Sequence, residues 1–487
     1  MSMKNTANIK KEVMFDMAFA QSFRGVSLRK HELIRKGSIL ECDKPWEGEH
    51  CGYGQIIYDG EKYRLYYRGC GGNDGVWKTE NGEHGVWCVA YSYDGKRFER
   101  PSLGLFEYNG SRDNNIIMMN DPDDKYIDNF AIFLDENPAC AEDAKYKALM
   151  GHRVGDEKRL IYFKSADGIH FEKTDLLTVK GRFDSMNIAF YDKAIGKYRL
   201  YMRDYHTLDE ANKIEYEKEK HVRDVRLCLS DDFVNWTTPK PLVYSDPLEM
   251  QLYTNNIMKY PGTEMFFGMP TRYIDRAPDA KNYKYLPDVG GFRPLLLQQY
   301  GGRAGSAVTE TMLMVSRDGY NFNRTREAFF TSGPENGDNW VYGDGYFVHG
   351  MIETESDFKG EPNELSLYVG HGYRARPVTF ERYTLRMDGF YSWRADFEGG
   401  EVISKLVTLT GGDISVNFAT SALGFLRIEI LDENGTLIEG YDTGRMFGNS
   451  INRPCDFDVP LSKLAGQTVR FRITMKDCDL YAITFNK

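Results

Sequence analysis

Ser92-Tyr93-Asp94-Gly95, with Phe98 three residues beyond, is one copy of a short pattern on which the reading of this chain turns. It recurs as Ser165-Ala166-Asp167-Gly168 with Phe171, Ser230-Asp231-Asp232-Phe233 with Trp236, Ser316-Arg317-Asp318-Gly319 with Phe322, and more weakly as Arg386-Met387-Asp388-Gly389 with Trp393. The first residues of successive copies lie 73, 65, 86 and 70 positions apart. That period is too long for a helical solenoid and suits a four-stranded β unit with its loops. Asp-Gly closes a tight turn through positive φ, the Ser or Asp side chain bonds the turn's own amides, and the aromatic opens the next strand. The pattern is therefore turn chemistry, and its five copies predict an all-β fold: a five-bladed β-propeller.

The 487 residues exceed one ordinary domain, so a small second unit is expected beside the propeller. Aromatic residues make up 14% of the chain, including 32 Tyr and 29 Phe, and apolar residues at helical spacing are scarce. This fits sheets, and it also fits a sugar-binding surface. A net charge of −10 supplies no basic footprint for nucleic acid or an anionic membrane, so neither is expected as a partner. Met1 to Lys11 is polar and basic, no run reaches the roughly 18 apolar residues of a membrane span, and a cytoplasmic protein is expected. The eight cysteines lack C-x-x-C spacing, so neither a disulfide framework nor a metal site is indicated, and no cofactor is expected.

Residues 1–40 are read as an extension on the propeller, with one helix and then a strand from Val26 to Leu40 that packs on or closes it. The propeller itself is expected over 41–393. Tyr63-Arg64-Leu65-Tyr66-Tyr67-Arg68 in the first unit is echoed by Lys197-Tyr198-Arg199-Leu200-Tyr201 in the third. Thr207 to His221, rich in Glu and Lys, reads as an exposed helix. Asp275 to Ser306, punctuated by paired glycines, reads as a rim loop over the pocket or against a neighbouring subunit of a homo-oligomer. From 394 to 487, short strands separated by Gly-Gly and Asn-Gly turns predict a β-sandwich.

A propeller implies no activity by itself. In such a fold the starts of the innermost strands converge on one end of the axis, and here those starts carry Glu47 and Glu49, Asp128, Asp184, Glu249 and Asp344. Carboxylates sharing a cavity push their protonation equilibria apart, which is the division of labour that glycoside hydrolysis uses. Trp46, Tyr253 and Trp340 could stack on a sugar face, Arg272 could bond its hydroxyls, and Glu310 is a further carboxylate in reach.

Pro45-Trp46-Glu47-Gly48, Phe183-Asp184-Ser185, Leu252-Tyr253-Thr254-Asn255 and the carboxy-terminal Ala395-Asp396-Phe397-Glu398-Gly399-Gly400 carry a resemblance over nearly the whole chain. With its five-unit pattern and trailing sandwich, the chain resembles glycoside hydrolase family 32 and the related families 43 and 68. The resemblance implies a glycosidase, exo-acting on a furanoside end of an oligosaccharide or glycoside. It places the nucleophile or base at Glu47 (or Glu49), a stabilising aspartate at Asp184 and the acid at Glu249. Two other functions are weighed. A phosphorylase would hold phosphate with Arg153, Arg203, Arg272 and His349, and a noncatalytic glycan-binding propeller would keep the aromatics alone. Retention and inversion of the anomeric centre stay open.

Overall fold

The computed structural model describes residues 10–48, 51–70, 85–119, 126–215, 219–276, 283–288, 291, 293–298, 306–373 and 376–486, with backbone only at Cys70 and 126–128. The described chain is nearly all β. Its helix is confined to two 3₁₀ turns, Glu142–Ala144 and Leu461–Leu464, and short pieces within 283–306.

Sheets follow one another along the chain, and the first three are antiparallel with their strands in sequence order. The first holds Gly52–Tyr58, Tyr63–Cys70, Gly85–Ser92 and Ile116–Met119. The second holds Tyr126–Leu134, Tyr146–Val154, Glu157–Ser165 and Glu172–Lys180. The third holds Ile188–Asp192, Lys197–Thr207, His221–Ser230 and Lys240–Pro241. In the next region the chain divides between one sheet from Met258–Lys259 to Asn321–Arg324 and another of Leu252–Thr254, Thr271–Asp275 and Ala307–Thr311. The last of the series joins Tyr346–Phe347, Glu364–His371 and Thr379–Arg386, and its outer strand is Ile34–Glu41 from the amino-terminal end of the chain.

The serine–aspartate turns have the expected chemistry. In each of the four strong copies the serine Oγ accepts from the backbone N–H three residues on (Gly95, Gly168, Phe233, Gly319), and the aspartate accepts from the next amides. The residue at the fourth position takes φ of 71°, 73°, 69° and 73° in the four copies, so Phe233 occupies a left-handed conformation that glycine holds elsewhere. These turns also lock sheet to sheet. Tyr66 of the first sheet donates to the Gly168 carbonyl in the turn of the second, Tyr201 of the third donates to Gly319, and Tyr368 of the last donates to Gly95 of the first. Between the second and third sheets Phe233 takes the place of that bond, meeting the rings of Tyr162, Tyr198 and Phe133.

Carboxy-terminal to these sheets, two 18-residue strands, Ile414–Leu431 and Thr468–Phe485, pair along most of their length and organise a ten-stranded sheet. Lys11–Val13, Ala20–Arg24 and Ser27–Lys30 also belong to this sheet. The helix expected before residue 26 is therefore absent from 10–26, because those residues complete open edges of the carboxy-terminal sheet. The segment from Thr207 to His221 likewise shows no helix among its described residues. Its ends extend the hairpin of the third sheet, Thr207 pairing with His221 and the Leu208 N–H donating to the Lys220 carbonyl.

Candidate active site

Each of the three carboxylates with an expected catalytic role meets a different cation, and the cation decides what the carboxylate can do. Glu47 is fully buried. Its Oε1 accepts from Tyr67 Oη at 2.6 Å and Arg100 Nε at 2.7 Å, and its Oε2 accepts from Arg100 Nη2 at 2.8 Å and the Lys44 N–H at 3.0 Å. With both oxygens engaged inside the protein, Glu47 is a clamp that ties the 41–48 loop to Arg100, and the expectation that it attacks a sugar is corrected. Trp46 serves the same loop: its Nε1–H donates to Asn115 and its ring packs on Tyr108.

Glu249 turns toward His206, whose Nε2 lies 2.6 Å from Oε2, while Nδ1 of the same ring faces Asp224 at 3.2 Å. Asp224 is fixed in turn by Tyr244 Oη and by the Val225 N–H, both at 2.7 Å. Hydrogen bonds to the two carboxylates raise the His206 pKa. These groups line a cavity of about 320 Å³ together with Arg226, Pro241, Leu242, Asp246, Leu248, Met250 and Arg324. Asp184 is not among its walls, so the structure does not bring Glu249 and Asp184 together.

Asp184 stands just before Ile188–Asp192, with its side chain 30% exposed. Behind it lies Arg203, only 3% exposed, with Nη2 3.4 Å from Asp184 Oδ1. Arg203 is held by its own neighbours: its N–H donates to Asn187 Oδ1, its Nη1 donates to the Tyr253 carbonyl at 2.7 Å, and its guanidinium lies 4.4 Å from the centre of the Tyr253 ring. Arg35, Arg100, Arg324, Arg427 and Arg472 each present the Nε–Nη2 edge to a carboxylate in a two-pronged hydrogen bond. At Arg203 the Nε and Nη2 groups, like Asp184 Oδ1, have no hydrogen-bond partner among the described residues. The pair is held by charge, at a distance that leaves directional bonding unspent.

Tyrosines wall this pair. Tyr253 meets Tyr273, Tyr342 and Tyr346 at centroid distances of 6.1, 5.6 and 6.3 Å, and Tyr346 meets Tyr53 at 5.8 Å. Tyr53 adopts φ of 49°, an uncommon conformation for a bulky residue. Burial raises the pKa of Tyr253, and that of Tyr342 well above the ordinary value, so both phenols stay neutral at physiological pH. A second buried guanidinium, Arg223, lies 5.8 Å from the Tyr253 ring and bonds Glu219 and Gln251. Tyr253 was legible in the sequence. Tyr53, Tyr342, Tyr346, Arg223 and Glu219 were not, because what distinguishes them is convergence from distant strands.

The remaining expected residues are engaged elsewhere. Arg272 and Glu310 face each other across paired strands and bind one another, with Arg272 Nη1 also donating to the Arg326 carbonyl. Asp344 is fully buried, its Oδ1 3.2 Å from His371 Nδ1, so it does not face a substrate. Trp340 Nε1–H donates to the Gly333 carbonyl, and its own carbonyl accepts from Arg293 of the 275–306 insertion. His349 lies against the Ile257 carbonyl, and burial lowers its pKa to about 4. Glu49 and the side chain of Asp128 lie outside the described residues. Among the described residues no His, Cys, Asp and Glu group suited to a metal occurs.

No family model matches the chain, and no curated protein matches it. Solved structures similar to it include an N-acetylgalactosamine deacetylase from F. plautii in complex with blood group B trisaccharide, 12% identical over 74% of this chain and 96% of that one, with a TM-score of 0.45. A glycosyl hydrolase from Bacteroides ovatus is 16% identical over 73% and 94%, with a TM-score of 0.40. A fructofuranosidase from Schwanniomyces occidentalis is 10% identical over 94% and 98%, with a TM-score of 0.39.

Proposed function

We propose that residues 41–393 form a five-bladed β-propeller closed by the Ile34–Glu41 strand, and that 394–487 form a β-sandwich domain, which the strands within 11–30 join in place of the propeller expected to receive them. The tyrosine-to-turn bonds that run from the last sheet to the first, from the first to the second and from the third to the fourth support this reading. We further propose that the chain processes glycosides at the end of the axis where Asp184 stands, acting on the terminal furanoside of a glycoside or oligosaccharide.

One observation carries the proposal: a partly exposed carboxylate, Asp184, backed by a buried guanidinium, Arg203, inside a wall of tyrosines. Tyrosine faces offer a sugar ring apolar contact, and phenol, carboxylate and guanidinium together supply acceptors and donors for its hydroxyls. An aspartate carboxylate at this position can stabilise the positive charge that grows on the ring as a glycosidic bond breaks. Hydrolysis is favoured over phosphorolysis because two of the groups expected to hold phosphate are unsuited to it: Arg272 is bonded to Glu310, and His349 is kept neutral by burial. The insertion at 275–306, anchored through Arg293 to the carbonyls of Asn339 and Trp340, is proposed as a rim of the same pocket.

A panel of aryl furanosides and pyranosides, assayed with and without phosphate, tests the activity. Asp184→Asn should reduce turnover of any substrate the parent cleaves by about 10²-fold or more. Glu49→Gln, Asp128→Asn and Glu219→Gln then identify the second carboxylate. Turnover by Asp184→Asn equal to that of the parent would reject the site.

A further inference from the structure

The segment from Glu249 to Tyr253 runs across the ends of two strands of the third sheet, and every second side chain meets a basic group. Glu249 binds His206, Gln251 Oε1 accepts from Arg223 Nη1 at 2.8 Å, and Tyr253 lies on Arg203. The backbone is tied at the same places: the Glu249 N–H donates to the Asn212 carbonyl, the Gln251 carbonyl accepts from the Tyr273 N–H, and Ser185 Oγ donates to the Tyr253 carbonyl. One end of this ribbon sits in the His206 cavity, and the other forms the wall beside Asp184.

We infer that His206 is a positioning residue: as an imidazolium held between Asp224 and Glu249 it pins the outer end of the ribbon, and so sets Tyr253 against Arg203 in the axial site. The inference rests on the proposed location of the sugar site for its functional consequence, and on the ribbon's geometry alone for its structural one.

Of the three basic groups that hold the ribbon, only His206 changes charge in the physiological range. The charged and titratable groups around it come from every neighbouring element. Asp204 is on its own strand, Asp224 and Arg226 are on the paired strand, and Tyr244, Asp246, Glu249 and Arg324 line the rest of the cavity. Asp246 and Arg324 neutralise one another through a two-pronged bond, and Arg226 lies 4.0 Å from Asp204. The imidazole is left facing two carboxylates, Asp224 and Glu249, which hold its proton above the usual range. Because the folded-state pKa is raised, the histidine side of the pin is in place below the ordinary value of about 6.5 and is lost as pH rises through the raised value.

Two measurements on the full chain test this, and neither needs a substrate. In the first, the His206 ring is titrated by NMR, with His206→Gln identifying its signal. The midpoint should lie above about 6.5 and should fall in Asp224→Asn and in Glu249→Gln. A midpoint at or below that value, or one that neither substitution moves, overturns the inference. In the second, hydrogen–deuterium exchange of peptides covering 249–255, corrected for the intrinsic pH dependence, should show protection lost on the alkaline side in the parent. In His206→Gln protection should be low at every pH. Protection unaffected by pH and by His206→Gln overturns the inference. If a glycoside is turned over, its KM should rise in step with the loss of protection while kcat changes less. If no glycoside is turned over, the proposed function fails and the two measurements still decide the role of His206.

Discussion

Asp184 and Glu47 both sit near the start of a first-in-sheet strand and both face an arginine, yet one is open and the other closed. Glu47 receives four hydrogen bonds and no solvent, whereas Asp184 keeps 30% exposure and an arginine edge that no hydrogen bond occupies. Their substitutions should separate cleanly. Asp184→Asn should reduce turnover by about 10²-fold or more, with a urea midpoint close to that of the parent. Glu47→Gln should lower stability by up to about 3–5 kcal/mol, because it leaves a largely buried Arg100 with only the half-exposed Asp43 as counter-charge. Chemical denaturation of the two variants checks both statements. The sequence supplied the positions of these acids and withheld their partners. Arg100 lies 53 residues from Glu47, and nothing in local pattern marks it as the group that closes that carboxylate.

At the scale of the element, the serine–aspartate turn was the most legible feature, since its chemistry is contained within a few residues. Its second use, as a plug that meets a tyrosine of the adjacent sheet, was not, because it depends on how sheets pack. Gly168 shows both. It adopts φ of 73°, and a Cβ placed on it would lie 2.6 Å from Tyr66 Oη, the atom that bonds its carbonyl. Gly168→Ala should therefore cost about 2–4 kcal/mol, combining the left-handed penalty with overpacking. Tyr66→Phe, which removes only the hydroxyl, should cost about 1 kcal/mol. Thermal unfolding that ranks the two in the reverse order would contradict this account. The absence of helix from the described residues of Thr207 to His221 has a physical cause. Charged stretches such as Thr207 to His221 look like solvated helix faces in sequence, but long-range pairing recruits their ends as strand. Tertiary pairing overrides local preference most easily where local preference is weak.

At the scale of the molecule, the Ile34–Glu41 strand pairs with Thr379–Arg386, and the Arg35 guanidinium grips Glu381 across that seam. Removing residues 10–41 should leave the last sheet with an open edge and yield aggregated chains, read by size-exclusion chromatography. That seam also sets an order of events during synthesis. The strand that must finish the last sheet leaves the ribosome first, and its partner emerges more than three hundred residues later. At roughly 5–20 residues per second it waits on the order of 20–70 s, unpaired, while the intervening sheets assemble. A nascent chain therefore spends that interval with an unpaired strand edge and no native partner for it, open to the mispairing that such edges invite.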